Sequence, residues 1–309
     1  MNTSELSKKQ FDVLTVIEEN KDKLSQREIS EKTGHGLGTI NKIVKELVEK
    51  GYVEDGKITE NGLIALEPYR VKRAVIIAAG FGSRMVPITL NTPKPLVRVH
   101  GKRIIDGLLD AIVAAEIEEI ILVRGYLAEQ FDQLLYKYPM IKFVDNPFYN
   151  EANNISSAMC VRHQLANAYV FEADLLLTNP SLVKKYQYSS NYLGVPVDRS
   201  DDWCFTTKNG VIQTQQVGGE LNDKLKNANC GLYQEIGISY WSQADGERLA
   251  DQIEQVYSMP GGKERYWDQV PFVYFKDQYQ LDIRECSFDD IIEIDTFREL
   301  KQIDKAYDV

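Results

Sequence analysis

The sequence predicts an α/β protein, a mostly parallel or mixed sheet covered by helices, with a small helical module and hairpin in front of it. Three observations carry this. From residue 73 to residue 172, short apolar runs alternate with amphipathic helical stretches. The first run, Ala74 to Ala79, opens directly onto two glycines and then onto isolated cations. Residues 1–68 lack that alternation and instead carry repeated helix-entry signals.

The front module reads as three helices and a hairpin. Ser7-Lys-Lys-Gln10 is a capping-box entrance to a helix with Phe11, Leu14 and Ile17 on one side. Ser25-Gln-Arg-Glu28 repeats the entrance before Ile29. A glycine-bearing turn, 33–38, leads to a third helix with Ile40, Ile43, Leu47 and Val48 expected inward, which Gly51 stops. "YVEDGKIT" then predicts two brief strands about the Asp55-Gly56 turn. Over residues 5–66 this order resembles the winged helix-turn-helix family. The resemblance implies DNA as a partner, read by Thr39, Asn41, Lys42 and Lys45, with Arg27 and Lys57 on the backbone. Charge argues otherwise: residues 1–68 hold 10 Lys or Arg against 13 Asp or Glu, and phosphate contact supplies much of DNA affinity. Dimerisation (a homodimer), packing or ligand-linked regulation are the other uses of such a module.

"ALEPYRVKR" is a short boundary, broken by Pro68. Domains are therefore expected at 1–68 and 69–309, with the larger module starting near Val71. Helices are expected at 104–115, 128–138 and 155–165, and strands at 120–123, 141–144 and 169–172. No internal repeat or low-complexity tract stands out.

Of 309 residues, 46 are acidic and 36 basic, a net charge of −10. This argues against broad coating of nucleic acid or attraction to an anionic membrane. Cys160, Cys204, Cys230 and Cys286 are dispersed, without CxxC or zinc-like spacing. With no secretion signal and no membrane-spanning stretch in the sequence, a cytoplasmic location is expected.

The chemistry begins after the first strand. Gly80 and Gly82 let backbone N–H groups approach a ligand without Cβ interference. Arg84 adds a forked cation, and Lys94, fenced by Pro93 and Pro95, a compact one. Together they point to a polyphosphate, yet no Gly-Lys-Ser/Thr makes a Walker A loop. Asp174 ends the apolar run "AYVFEA" and is a candidate ligand or a loop cap. Asp295 follows "DDIIEI", where Asp289, Asp290 and Glu293 compete with it. His163 reads as helix surface or packing, and His35 and His100 lack partners in any recognisable constellation.

"AAGFGSRMVPITLNTPKPL", "NPFYNEANNISSA", "YVFEADLLLT" and "IIEIDTFREL" together resemble the sugar-nucleotide nucleotidyltransferase superfamily, over about residues 72–300. Within it the sequence looks most like bacterial choline-phosphate cytidylyltransferases. The resemblance implies a Rossmann-like catalytic domain that joins CTP to phosphocholine, giving CDP-choline and pyrophosphate. It places Ala78, Ala79, Gly80, Phe81, Gly82, Ser83 and Arg84 against the nucleotide, and Lys94 beside the phosphorus under attack. Asp174 and Asp295 match its two metal carboxylates, for which Mg2+ is the suitable ion. Asn154, Ser156 and Ser157 become contacts of the nucleotide, or simple helix-entry residues. For choline, aromatic faces and a carboxylate are needed; Tyr240, Trp267 and Asp268 are the expected set, with Tyr149 and Trp203 behind them. Two alternatives remain open: a 2-aminoethylphosphonate cytidylyltransferase, and a transcriptional regulator that uses the domain as a nucleotide sensor.

Overall fold

The computed structural model describes residues 5–20 and 22–308, so the first four residues of the expected front module lie outside the described residues. Two compact units form. The first takes in the described residues up to Arg70 together with Tyr186–Tyr188, and the second Val71–Lys185 and the chain from Ser189 onward.

The first unit contains α1 (Lys8–Glu19), α2 (Gln26–Thr33), α3 (Leu37–Glu49), β1 (Val53–Glu54), β2 (Lys57–Ile58) and α4 (Glu60–Leu66). Both capping boxes form: Ser7 with Gln10, and Ser25 with Glu28. Phe11, Val13, Leu14, Ile17, Ile29, Ile40, Ile43 and Leu47 fill one core, each such burial stabilising by about 1.5–3 kcal/mol. Val48, expected inward, is 49 % exposed; it follows Leu47 by about 100° of helix rotation and turns off the buried stripe. Asp55 and Gly56 both take positive φ (50° and 80°) in the hairpin turn, the conformation that an Asp-Gly pair favours.

The second unit continues with β3 (Arg73–Ile77), β4 (Arg98–Val99), β5 (Lys102–Arg103), α5 (Ile104–Ala114), β6 (Glu119–Arg124), β7 (Ile141–Asp145), α6 (Ile155–Cys160), β8 (Ala168–Glu172) and β9 (Leu175–Leu177). Then come β10 (Asn191–Pro196), β11 (Arg199–Lys208), β12 (Val211–Glu220), α7 (Asp223–Lys226), β13 (Cys230–Trp241), α8 (Gln243–Ser258), β14 (Asp282–Glu285), β15 (Ile291–Glu293) and α9 (Phe297–Ile303). Nine strands form one mixed sheet in the order β10-β14-β12-β11-β13-β8-β3-β6-β7. β8, β3, β6 and β7 are parallel neighbours, while β13 runs antiparallel to β8. Because both faces are covered, β3 is apolar throughout its buried length. Its alternate residues enter two cores: Ala74 and Ile76 one, Val75 and Ile77 the other. The stretch expected as a helix at 128–138 winds as a 3-10 run, Ala128–Tyr136, and the 155–165 stretch divides into α6 and a 3-10 turn, Arg162–Gln164. The four cysteines are free thiols. Among the described residues no helix is long and apolar enough to cross a membrane.

Candidate active site

The parallel strands β3 and β8 end level with each other, Ile77 opposite Glu172. Ligands in such sheets bind beyond the carboxyl ends of the strands. Here that edge opens into a cavity of about 420 Å³, contained within the second unit.

The loop after β3 forms one wall. Ala78 still belongs to the sheet, its N–H donating to the Val123 carbonyl at 2.8 Å. Among the described residues, the N–H groups of 80–84 have no acceptor. Gly82 adopts φ +63°, and a Cβ there would lie 3.0 Å from Lys94 Cβ and 3.1 Å from Thr89 Cγ2. Thr89 Oγ1 donates to the Gly82 carbonyl at 2.8 Å, holding the turn. Gly80 differs: a Cβ on it would meet nothing within 4 Å. Its bareness serves the cavity, not internal packing.

Lys94 is 8 % exposed and enters the cavity from a turn clamped by its prolines. Its Nζ donates to Asp174 Oδ2 at 2.7 Å and to Asp295 Oδ1 at 2.9 Å. Arg84, from the loop, donates to the same Asp295 oxygen at 2.7 Å. Burial opposes the charge on Lys94, but the two aspartates outweigh it and hold its pKa above the usual lysine value. Arg84 and Lys94 from the stretch after β3, Asp174 after β8 and Asp295 after β15 thus converge from three distant segments on one cavity.

Seven carboxylates line this cavity with only two cationic side chains: Glu172, Asp174, Asp202, Glu235, Asp268, Glu293 and Asp295 against Arg84 and Lys94. Oxygen atoms of Glu172, Asp174 and Glu293 approach within 4.8 Å of one another. Asp174 Oδ1 is buried with no hydrogen-bond partner. Burial, reinforced by the neighbouring Asp174 charge, pushes the Glu172 and Glu293 carboxyls well above the usual carboxylate range. An excess of hard, underpaired oxygens suits a divalent cation. Asp295 takes both Arg84 and Lys94 on one oxygen, Oδ1, and the three oxygens closest to one another belong to Asp174 and to Glu172 and Glu293, two glutamates beside the expected pair. A signal was there: Glu172-Ala-Asp174 and Glu293-Ile-Asp295 share one spacing, and the i, i+2 period of extended chain puts both acids of each pair on one side.

At another part of the wall, Gln215 Nε2 donates to both Glu235 Oε2 (2.9 Å) and Asp268 Oδ2 (2.5 Å). Burial pushes both carboxyls upward; the Asp268 charge raises Glu235 further, whereas hydrogen bonding from Glu235 and Gln215 partly offsets the rise at Asp268. Trp203 and Tyr266 also line the cavity, ring centroids 6.0 Å apart and inclined at 72°.

The expected trio Tyr240, Trp267 and Asp268 does not come together. Only Asp268 lines the cavity. Glu235 and Gly237 point there from β13, so Tyr240, of opposite parity, falls on the other face; it is 3 % exposed and donates to Asn167 Oδ1. Trp267 is 1 % exposed and packs against Trp241, its two chain neighbours Tyr266 and Asp268 taking the cavity side. Of the expected nucleotide contacts, Ala78, Gly80, Gly82, Ser83, Arg84 and Asn154 line the cavity, whereas Ala79, Phe81, Ser156 and Ser157 are outside its lining. Ser156 and Ser157 are each 2 % exposed and accept from Asn146 Nδ2, a packing role under α6. Phe81 rests on Tyr126 and Tyr149. Asp290 accepts from Ser287 and Asn179, a turn role that removes it as a competitor of Asp295.

A nucleotidyl transferase family model matches residues 73–190, and a MarR family model residues 4–57. A 2-aminoethylphosphonate cytidylyltransferase of Lancefieldella rimae is 34 % identical over 243 residues, 76 % of this chain and 92 % of that protein. A choline-phosphate cytidylyltransferase of Streptococcus pneumoniae is 28 % identical over 75 % of this chain and 97 % of its own length. Among solved structures, a CTP:phosphocholine cytidylyltransferase from Streptococcus pneumoniae matches with a TM-score of 0.67 at 29 % identity, covering 77 % of this chain and 99 % of that one.

Proposed function

Since the chain belongs to the nucleotidyl transferase family, as a cytidylyltransferase-like enzyme preceded by a MarR-type winged helix, we propose that it transfers the cytidylyl group of CTP to a small phosphonate or phosphate bearing an ammonium group, with 2-aminoethylphosphonate as the acceptor. An acceptor oxygen attacks the α-phosphorus, the bond from that phosphorus to the β-bridging oxygen breaks, and pyrophosphate leaves with the electron pair. The attacking oxygen is anionic near neutral pH, so no protein base is required. What the protein must do is draw two anions together and offset the charge that develops. The N–H groups of 80–84 and Arg84 receive the outer phosphates, and Lys94 the phosphoryl group under attack. Glu172, Asp174 and Glu293 would hold a divalent cation, Mg2+ by its preference for hard oxygen ligands. When bound, that cation offsets charge on the triphosphate.

The observation that carries the choice of acceptor is the Glu235–Gln215–Asp268 cluster. A primary ammonium offers N–H donors, and two acid side chains already organised by one amide are built to accept them. A quaternary ammonium offers none, and a site made to hydrogen-bond its ligand rejects analogues lacking the donors by about 10⁴-fold. Phosphocholine is the second reading, favoured by the Trp203 and Tyr266 rings. Competition tests the order: with CTP and equal 2-aminoethylphosphonate and phosphocholine, kcat/KM should favour the primary amine. A preference for phosphocholine would transfer the reading to the rings.

A further inference from the structure

We propose that Lys94 is the resident counter-ion of the acid site: its ammonium occupies Asp174 and Asp295 while no divalent cation is bound, and cation binding hands it over to the nucleotide. The inference rests on the cation site of the reading above and is independent of the acceptor.

Several features carry it. The stem of Lys94 is fixed, since its backbone is held between Pro93 and Pro95 and its Cβ lies against Gly82, 3.0 Å from where a Cβ on that glycine would stand. The ammonium head is what can reorient, and it already faces the cavity. That head takes Asp174 Oδ2 while leaving Oδ1 of the same carboxylate buried and unpartnered. The carboxylates of Glu172 and Glu293, close to Asp174, have no side-chain hydrogen bond or ion pair among the described residues. A divalent cation on these oxygens and an ammonium on the same aspartate are like charges in a confined site, where repulsion is weakly screened. Finally, Asp295 loses nothing essential when Lys94 leaves, because Arg84 remains on it at 2.7 Å.

The direction of release follows from the loop. Lys94 lies beneath Gly82, within the same wall as the underbonded N–H groups of 80–84, so a freed ammonium joins donors that suit phosphate oxygens. Cation and nucleotide are thereby linked: each favours the state with Lys94 off Asp174, and by reciprocity each tightens the other. The same side chain, in the absence of the cation, bridges Asp174 and Asp295, so that these two carboxylates share one positive charge.

Mn2+ binding to the full chain, with no nucleotide or acceptor present and free Mn2+ read by electron paramagnetic resonance, tests this. Lys94→Met should bind Mn2+ about tenfold more tightly than the wild type, within the usual range of coupling between sites, and Asp174→Asn should lose the ion. Equal or weaker binding by Lys94→Met with a native circular dichroism spectrum overturns the exchange. Should that variant not fold, the wild type with ¹⁵N-labelled lysine gives a second test, the Lys94 ammonium resonance being identified by its loss in Lys94→Arg. Mg2+ alone should shift that resonance and speed its hydrogen exchange; a resonance unmoved at saturating Mg2+ overturns the proposal. Wild-type Mn2+ affinity in Asp174→Asn would overturn both the exchange and the assigned cation site, leaving the choice of acceptor untouched.

Discussion

Lys94 Nζ and Asp174 Oδ2 lie 2.7 Å apart across 80 residues of sequence. The pair joins the proline-clamped turn beside the glycine loop to the carboxyl end of the sheet. If Lys94 meets the phosphoryl group mainly as charge develops, its loss falls on turnover. Lys94→Met should lower kcat by about 100- to 1,000-fold while changing the KM for CTP far less. Steady-state kinetics over a CTP series measures the split; a rise in KM at unchanged kcat would move Lys94 to ground-state binding.

Gly80 and Gly82 are expected to fail differently. Gly82→Ala must hold a left-handed conformation, costing about 1–2 kcal/mol, and presses on Lys94 Cβ and Thr89. It should lower both Tm and CTP affinity. Gly80→Ala meets no neighbour, so Tm should stay near the wild-type value while CTP affinity falls at least about tenfold, a loss of ~1.4 kcal/mol. Thermal melts beside calorimetric CTP titrations separate the two. A normal CTP affinity in Gly80→Ala would remove the ligand from that face of the loop.

The aromatic residues divide in the same way. Trp267→Ala empties a site in the core and should cost about 3–5 kcal/mol of stability. Tyr266 is 43 % exposed, so Tyr266→Ala should leave the melt almost unchanged and raise the KM for the acceptor without raising that for CTP. Equal effects on both KM values would make Tyr266 a packing residue.

Glu235 and Asp268 give a pH dependence with a definite sign. Burial raises both carboxyls above their unfolded values. Their contribution to stability is therefore complete below the unfolded carboxyl range, about pH 4, and is lost as pH rises through the folded values. The Tm of the ligand-free protein should fall as pH rises above the unfolded carboxyl range, about pH 4, and Glu235→Gln should flatten part of that fall. Acceptor affinity should run the opposite way, rising as the pair ionises. Parallel melting profiles for the two proteins would contradict the assignment.

On α3, Lys42 faces Glu46 at 3.9 Å and Lys45 faces Glu49 at 3.8 Å. A recognition helix whose lysines sit beside its own glutamates has little charge left for phosphate. Binding to random duplex DNA at about 150 mM salt should be weaker than the ~10⁻⁴–10⁻⁶ M typical of non-specific binding. Fluorescence anisotropy measures it, and tight, steeply salt-dependent binding would restore DNA as a partner.

Much of this was legible because local rules fixed it. Ser7–Gln10 and Ser25–Glu28 are reciprocal caps within one turn, and the loop from Gly80 to Lys94 is a single contiguous phrase. What escaped depends on which way a strand faces. Tyr240 and Glu235 stand on opposite faces of β13, and nothing in a run so rich in both apolar and polar residues fixes its phase. Glu293 was named only as a competitor of Asp295 and Glu172 not at all, although the matching spacing of the two acid pairs was visible. The β11–β12 hairpin is polar on much of its surface, so it gives no alternating signal; only its Asn209-Gly210 turn, with both residues at positive φ, marks it.

The most direct test is ³¹P NMR of the full chain with CTP, Mg2+ and 2-aminoethylphosphonate. A cytidylyl transfer predicts a phosphonate resonance newly coupled to a cytidylyl phosphate, growing in step with pyrophosphate. An unchanged spectrum with this acceptor and with phosphocholine, from folded protein that binds CTP, would contradict it.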